Sequence, residues 1–238
     1  RDVLGSRGLG DVYKRQLVHV FIFPDSPYLH LINNILSYKC VNYKNSHIFR
    51  RKYMLYDKDI REPLFYYLEE RFGKSRILEE LNMGRSRADV VMVLPQRIVG
   101  LEIKSNADTY DRLERQVKDY NKFCDSNYIV TGLRHVKHVA GHIPDYWGIL
   151  CIYEDNRKVI IDEVRPAADN PSVLKASQMS WLWKNELSNI LSHNQMPRYR
   201  QKSKSFICEK LLARVDWTVL KEQLCNELFE RDYTLVSK

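Results

Sequence analysis

Two carboxylates and a lysine lie close together around two short apolar runs of the sequence. Asp89 precedes the run 90–94, and Glu102 and Lys104 fall at the end of the run 98–103. Two carboxylates can hold a hard divalent cation such as Mg²⁺. A lysine beside them can position an attacking water or offset negative charge that develops on a phosphate. These residue types therefore indicate metal-assisted chemistry on a phosphate ester.

The two apolar runs are expected to position these side chains as paired strands. Both runs are short and rich in β-branched residues, and residues 95–97 between them suit a tight turn. Alternation along the second strand places Glu102 and Lys104 on one face and Leu101 and Ile103 on the other. The hairpin would bring Asp89 beside Glu102 and Lys104.

The order of these residues resembles the PD-(D/E)xK phosphodiesterase superfamily, which has the restriction-endonuclease-like fold. Asp89 matches the aspartate of the motif, although Ala88 stands where the motif has proline, and Glu102 and Lys104 match its second half. Gln116 and Tyr120 match the Gln-x-x-x-Tyr element of the RecB-like nucleases. Over about residues 54–233, the chain is similar to a bacterial and phage family near the RecB-like and DNA-repair-type branches.

The resemblance implies an α/β fold with a restriction-endonuclease-like core, in which helices flank a central mixed β-sheet. It implies a Mg²⁺- or Mn²⁺-dependent nuclease that acts on DNA, with RNA as an alternative substrate. Asp89 and Glu102 would hold the metal, and Lys104 would position the water or stabilise the transition state. Gln116 and Tyr120 would help to place the nucleic-acid strand.

A third metal ligand is expected from the strand before Asp89. The resemblance assigns this role to Glu80, with Glu79 as its rival. Alternation along a strand at residues 77–81 would let only one of the two face the site.

Several basic residues are candidates for phosphate contacts. Arg85 and Arg87 flank Asp89 in a polar segment, 82–87, which we expect to be a loop. Between residues 198 and 204, four of seven residues are basic, which indicates a contact with a phosphate backbone. These four are Arg198, Arg200, Lys202 and Lys204. For both groups the alternative is a solvated loop.

Histidine and cysteine spacing gives a weaker indication of metal binding. His135, His138 and His142 would share one side of a helix, where they are either ordinary, partly exposed histidines or zinc ligands. The five cysteines form no C-x-x-C pair, which argues against a zinc ribbon or clustered iron–sulfur ligands. Scattered cysteines are typical of a reducing cytoplasm, where we expect the protein to reside.

The first 53 residues are expected to be a non-native leader or a disordered extension. Residues 6–16 resemble a translated sequencing-library adapter, and Met54 is the expected start. The chain carries a net charge of +8, but the leader holds nine basic and three acidic residues. The remaining 185 residues therefore carry only +2, so net charge is no argument for nucleic-acid binding.

The rest of the chain divides into a nuclease-like core, 54–165, and a helical region, 172–238, joined by a segment rich in proline and aspartate. We expect a helix at 57–72, a helix at 110–124, and strands at 127–131, 147–153 and 158–164. Further helices are expected at 177–192, 203–214 and 216–232, and Trp181 and Trp183 are expected to be core residues rather than a platform for bases. The helical region is either a small DNA-binding appendage or a bundle that buttresses the core.

Other classes of function remain open at this stage. A nuclease of this kind could serve DNA repair or the defence of a phage or mobile element. The alternatives are a nucleic-acid-binding module without catalysis and a protein-interaction component that keeps the nuclease fold. No apolar run has transmembrane length, so no membrane association is expected, and a homodimer is one of the oligomeric states left open.

Overall fold

One mixed β-sheet organises the part of the chain that the computed structural model describes, residues 55–155 and 157–232. In these ranges six strands follow one another across the sheet in chain order. The strands are β1 (Arg76–Met83), β2 (Ser86–Leu94), β3 (Arg97–Lys104), β4 (Ser126–Gly132), β5 (Gly148–Asp155) and β6 (Lys158–Arg165). β1 to β3 are antiparallel, β3 to β5 are parallel, and β6 returns antiparallel to β5. The predicted leader and the expected start at Met54 lie outside the described residues.

Helices cover both faces of this sheet, which confirms the expected α/β architecture with a mixed sheet flanked by helices. Six α-helices and one short 3₁₀-helix, at Val139–His142, lie within the described ranges. The α-helices are α1 (Asp57–Phe72), α2 (Leu113–Phe123), α3 (Lys175–Ser180), α4 (Lys184–His193), α5 (Lys204–Arg214) and α6 (Trp217–Phe229). α2 lies in the connection between the parallel strands β3 and β4, where a crossover is required.

The predicted hairpin between β2 and β3 is confirmed. Leu94 pairs with Arg97, so Pro95 and Gln96 alone form the turn. Nearly every residue of β3 and all of β4 are buried, because both strands lie inside the sheet and carry helices on both faces. Continuous apolar runs are the expected sequence for such strands.

Three expectations about local structure were wrong. Residues 82–87 do not form a loop, because β1 extends to Met83 and β2 begins at Ser86. Gly84 makes this tight turn with φ 58°, and a Cβ atom there would lie 2.6 Å from Asp119 Oδ1 on α2. The helix expected over 177–192 is broken into α3 and α4. The histidine segment forms turns and the 3₁₀-helix rather than an α-helix.

The break between α3 and α4 follows from burial and capping. Trp181 and Leu182 are buried, and the Trp181 indole N–H donates to the Asn82 carbonyl at 2.8 Å. The Glu186 carboxylate then accepts from the Trp183 N–H at 2.6 Å, which starts the next helix. Tertiary contacts of this kind override a continuous helical pattern in the sequence.

Two apolar cores lie on opposite faces of the sheet. On one face, Ile60, Leu64 and Leu68 of α1 pack against residues such as Val90 and Leu101. On the other face, α2 and helices α3 to α6 contribute to one continuous cluster with the sheet. Of the two alternatives for the helical region, this packing supports a bundle that buttresses the core.

Buried charged pairs connect the helices of the C-terminal region to one another and to the segment before β4. Lys221 Nζ of α6 donates to Asp125 Oδ2 at 2.6 Å and to Gln178 Oε1 of α3 at 2.7 Å. Arg231 forms two hydrogen bonds of 2.6 Å to the carboxylate of Glu186 on α4, and both side chains are less than 5% exposed. These bonds satisfy charges that burial would otherwise make costly.

None of the helices within the described ranges has both the length and the apolar character that a membrane crossing requires.

Removing one partner of the Arg231–Glu186 pair should destabilise the protein strongly. Arg231→Met leaves a buried carboxylate without its cation, which costs about 3–5 kcal/mol. Urea denaturation would measure the loss. The double variant Arg231→Met/Glu186→Gln keeps the acceptor for the Trp183 N–H and removes the charge, so it should recover much of the stability. A single variant within about 1 kcal/mol of wild type would contradict this account.

Candidate active site

The candidate site begins where the β2–β3 ladder ends. Val90 pairs with Leu101 in the last regular pair of the ladder. One residue further, Asp89 has no backbone partner on β3. Its side-chain Oδ2 instead accepts a hydrogen bond from the Ile103 N–H at 2.8 Å. The two strands therefore separate at Asp89, and its carboxylate lies between them.

The hydroxyl of Tyr120 occupies the gap between the separating strands. It accepts from the Asp89 N–H at 3.1 Å and donates to the Leu101 carbonyl at 2.9 Å. Tyr120 can approach β3 because residue 100 is glycine; a Cβ atom there would lie 2.5 Å from Tyr120 Cδ1. The ring itself is completely buried.

Glu102 and Lys104 lie on the face of β3 that α2 covers. Lys104 Nζ donates to Glu102 Oε1 at 2.7 Å and to Gln116 Oε1 of α2 at 3.1 Å. Glu102 is fully buried, and its second oxygen, Oε2, has no hydrogen-bond partner among the described residues. A buried carboxylate oxygen without a partner is costly, so this atom needs an explanation beyond its role in the fold.

Electrostatics within the cluster oppose full ionisation of both acids. Burial raises the pKa of Glu102 to about 7, and the nearby charge of Asp89 adds to this rise, while Lys104 opposes it. Burial also raises the pKa of Asp89, against the Ile103 N–H and the charge of Lys104. Two neighbouring acids with raised pKa values are typical of sites that bind a cation or transfer a proton.

Arg61 of α1 is a site residue that the sequence analysis did not single out for chemistry. Its guanidinium contacts Asp57 at 2.7 Å, Glu79 at 2.8 Å and Glu80 at 2.7 Å, and it donates to the Asp89 carbonyl at 3.2 Å. The sequence signal was weak, since an arginine four residues after an aspartate is common on helices. Arg61 fixes the backbone of Asp89 from the opposite face of the sheet.

The expectation that only one of Glu79 and Glu80 faces the site was wrong. Glu80 has φ 56°, which interrupts the alternation of β1 and lets both carboxylates reach Arg61. Glu80 is also bound to Arg87 at 2.6 Å. Two arginines thus hold Glu80, and the structure does not bring it together with Asp89 and Glu102 as a third ligand.

The other expected substrate contacts are distributed over different parts of the molecule. Tyr120 is a core residue that positions the two strands, so its side chain is not exposed to a bound nucleic acid. Gln116 contacts Lys104 and is partly exposed. Arg85 lies in the β1–β2 turn, where its N–H donates to Asp119, and Arg87 is paired with Glu80.

The four basic residues of the 198–204 segment lie in the helical region, between the end of α4 and the start of α5. Arg198 and Arg200 are exposed. Lys202 Nζ lies 5.3 Å from the centre of the Phe206 ring. Lys204 donates to the Ser180 carbonyl.

The histidines do not form a metal site. Tyr110 stacks on His142, with 4.2 Å between ring centres, and contacts His135 edge-on at 5.1 Å. Burial lowers the pKa of His135. Across residues 55–155 and 157–232, no three His, Cys, Asp or Glu side chains are grouped to bind a metal.

The fold and the site define an α/β protein with an acid–acid–lysine cluster at the separating ends of two antiparallel strands. The chain belongs to the family of bacteriophage P4 protein cII, whose family model matches residues 51–237.

No curated protein matches the sequence. Among solved structures, SfsA of Pyrococcus furiosus in complex with Ca²⁺ is similar at 13% sequence identity and a TM-score of 0.30. The match covers 47% of this chain and 62% of the SfsA chain, so the chain spans less than two thirds of that protein.

Tyr120→Phe should destabilise the protein although the phenyl ring still fills the space of the tyrosine ring in the core. The substitution removes the hydroxyl and leaves the Asp89 N–H and the Leu101 carbonyl buried without a partner, at a cost of about 1–3 kcal/mol. Urea denaturation would measure this loss. Tyr66→Phe is the control, because Tyr66 is 68% exposed and its change should be small. Equal effects of the two variants would contradict the role of the Tyr120 hydroxyl.

Glu102→Gln should stabilise the protein at high pH when divalent metals are absent. Folding raises the pKa of Glu102 from 4.5 to about 7, so the carboxyl group destabilises the fold progressively as the pH rises through this range. At pH 8 in EDTA the variant should be more stable by about 3 kcal/mol, because a shift from 4.5 to about 7 corresponds to about 1.4 kcal/mol per pKa unit. The gain should fall as the pH drops below 7 and vanish below about pH 4, where Glu102 is mostly protonated in both the folded and the unfolded state.

Urea denaturation across this pH range would measure the difference between the two proteins. Glu114→Gln, on the exposed side of α2, is the control and should show no gain at high pH. A stability difference between Glu102→Gln and wild type that did not change with pH would contradict the assignment.

Proposed function

We propose that this protein is a metal-dependent phosphodiesterase, a nuclease acting on DNA, built on a restriction-endonuclease-like core of the PD-(D/E)xK type. The observation that carries the proposal is the unpartnered Oε2 of Glu102, which is buried beside Asp89 and Lys104. A structural role alone would not require an acid with a raised pKa beside a second acid. Metal-assisted hydrolysis of a phosphodiester can use such a set, with the acids as metal ligands and the lysine beside them.

The two acids suit a hard divalent cation. Carboxylate oxygens are the ligands that Mg²⁺ and Mn²⁺ prefer, and Mg²⁺ often uses only one or two carboxylates from the protein. Asp89 and Glu102 would hold the ion, and Glu102 Oε2 has no hydrogen-bond partner in the described part of the chain. When bound, the ion would supply polarisation of a phosphodiester oxygen and a lowered pKa for a water molecule. Glu80 is engaged by Arg61 and Arg87 and is left out of this set.

Lys104 supplies the positive charge of the proposed mechanism. Its ammonium group is held between Glu102 and Gln116, so it has a fixed position rather than a flexible one. From there it would orient the attacking water or stabilise the negative charge of the transition state. Gln116 would act by orienting Lys104, in place of the direct contact with the nucleic-acid strand that the resemblance implies.

The topology supports a restriction-endonuclease-like core. An antiparallel meander, β1 to β3, is followed by α2 and by the parallel strand β4, and the acids lie on β2 and β3. The family name refers to a bacteriophage protein, which fits a role in a phage or mobile element. DNA is the proposed substrate because the RecB-like and DNA-repair-type branches, which the sequence resembles, act on DNA.

Nuclease activity should depend on a divalent metal and on the site residues Asp89 and Lys104. We expect the full chain to degrade plasmid and single-stranded DNA with Mg²⁺ or Mn²⁺ but not with EDTA. Asp89→Ala and Lys104→Ala should each lower the rate by on the order of 10²-fold or more. Lys118→Ala, which removes an exposed lysine from α2, is the matched control and should keep the rate.

The outcomes separate the proposed nuclease from its alternatives. Cleavage that survives both active-site substitutions would come from a contaminant. DNA binding without cleavage, unaffected by the substitutions, would favour a binding module that keeps the fold. Metal binding can be tested apart from activity, because Mg²⁺ should raise the melting temperature of wild type but not of Asp89→Ala.

A further inference from the structure

A polar groove on the helical region has the composition of a phosphate-binding site. It has a volume of about 580 Å³ and lies between α4 and the segment that follows it. Its lining consists of Lys184, Asn185, Ser188, Asn189, Ser192, Arg198 and Arg200. Three of these seven residues are cationic, the other four have neutral polar side chains, and none is an acid.

The arginines of this groove have no acidic partner in the part of the chain that the structure describes. Among the described residues, no carboxylate forms an ion pair or hydrogen bond with the side chain of Arg198 or Arg200, although many other arginines have one. One acid contacts a lining residue: Glu227 of α6 accepts a hydrogen bond from Asn189 at 3.1 Å. Two exposed guanidinium groups beside a lysine can bind phosphate oxygens with good geometry.

The backbone holds these arginines in place. Tyr199, between them, packs against Phe206 with 5.4 Å between ring centres and has φ 41°. Its inward position leaves Arg198 and Arg200 exposed, and Lys184 fixes the segment by donating to the Arg200 carbonyl at 3.2 Å. A left-handed conformation at a bulky residue is unfavourable by about 1–3 kcal/mol, so the surrounding contacts must maintain it.

We propose that this groove is a second site that binds the phosphodiester backbone of a nucleic acid. The lining includes no aromatic ring on which a base could stack, so the contact is made to phosphates and is independent of base sequence. Lys202 and Lys204, which the sequence analysis grouped with the arginines, are turned to Phe206 and to the Ser180 carbonyl and do not line the groove. The choice of nucleic acid as the carrier of the phosphates rests on the proposed nuclease function.

Binding of a fluorescently labelled single-stranded oligonucleotide of mixed sequence would test the site. The assay is run in EDTA with the full chain, so the result does not depend on cleavage. Arg198→Ala/Arg200→Ala should weaken binding about tenfold or more at moderate salt. The slope of log affinity against log salt should fall by about 1.4, since each phosphate contact with a single strand contributes about 0.7.

Matched controls keep this test decisive. Arg157→Ala/Arg214→Ala removes two exposed arginines elsewhere and should change the affinity much less. An unchanged affinity and slope in the groove variant, or an equal loss in the control, would overturn the proposal. Failure of the nuclease assay together with loss of binding in the groove variant would refute the catalytic function and leave the groove supported.

Inorganic phosphate separates the two sources of the ligand. If phosphate raises the melting temperature of wild type but not of the groove variant, while both bind the oligonucleotide equally, the groove takes free phosphate. That result would overturn the assignment to a nucleic acid. Oligonucleotide binding that is lost in the groove variant and is unaffected by millimolar phosphate would support it.

Discussion

The two hydrogen bonds of the Tyr120 hydroxyl are the constraint on which the site depends. They hold β2 and β3 apart immediately beyond the last regular pair of the ladder. In a continued ladder, Asp89 would face a backbone partner; in the opened one, its carboxylate accepts from Ile103. The glycine at position 100 makes room for the Tyr120 ring. The close packing of α2 on the sheet therefore also determines where Asp89 lies relative to β3.

The buried cluster of Asp89, Glu102 and Lys104 destabilises the fold, and other parts of the structure offset this cost. A buried ion pair such as Glu102–Lys104 gains little net stability, because desolvation opposes the attraction between the charges. Glu102 also has an oxygen, Oε2, that lacks a hydrogen-bond partner within residues 55–155 and 157–232. The helical region packs a large apolar cluster against the face of the sheet that carries Glu102 and Lys104, and the burial of this apolar surface offsets the cost. Functional sites commonly retain such unfavourable groups where the surrounding fold is rigid.

Much of the fold could be predicted from short-range pattern. Alternation along β3 placed Glu102 and Lys104 on one face, and β-branched runs around a proline indicated the β2–β3 hairpin. Features set by distant residues were missed. The left-handed backbone of Glu80 accompanies ion pairs with two arginines on other elements, Arg61 of α1 and Arg87 of β2. The break between α3 and α4 accompanies the hydrogen bond from Trp181 to Asn82. Spacing alone also could not tell a tyrosine that contacts substrate from one that separates two strands.

The distribution of charge differs between the two sites for a physical reason. Near Asp89, Arg61 and Arg87 are bound to Glu79 and Glu80, so this side of the sheet carries compensated charge. On the helical region, Arg198 and Arg200 lie in a groove without an acid. A chain whose described part is close to neutral can therefore still present a local positive surface, because screening limits charge effects to about 10 Å at 0.1 M salt. Under the two proposals, the groove binds a polyanion through its phosphates. The buried cluster then needs to position only one phosphate, so two acids and a lysine suffice there.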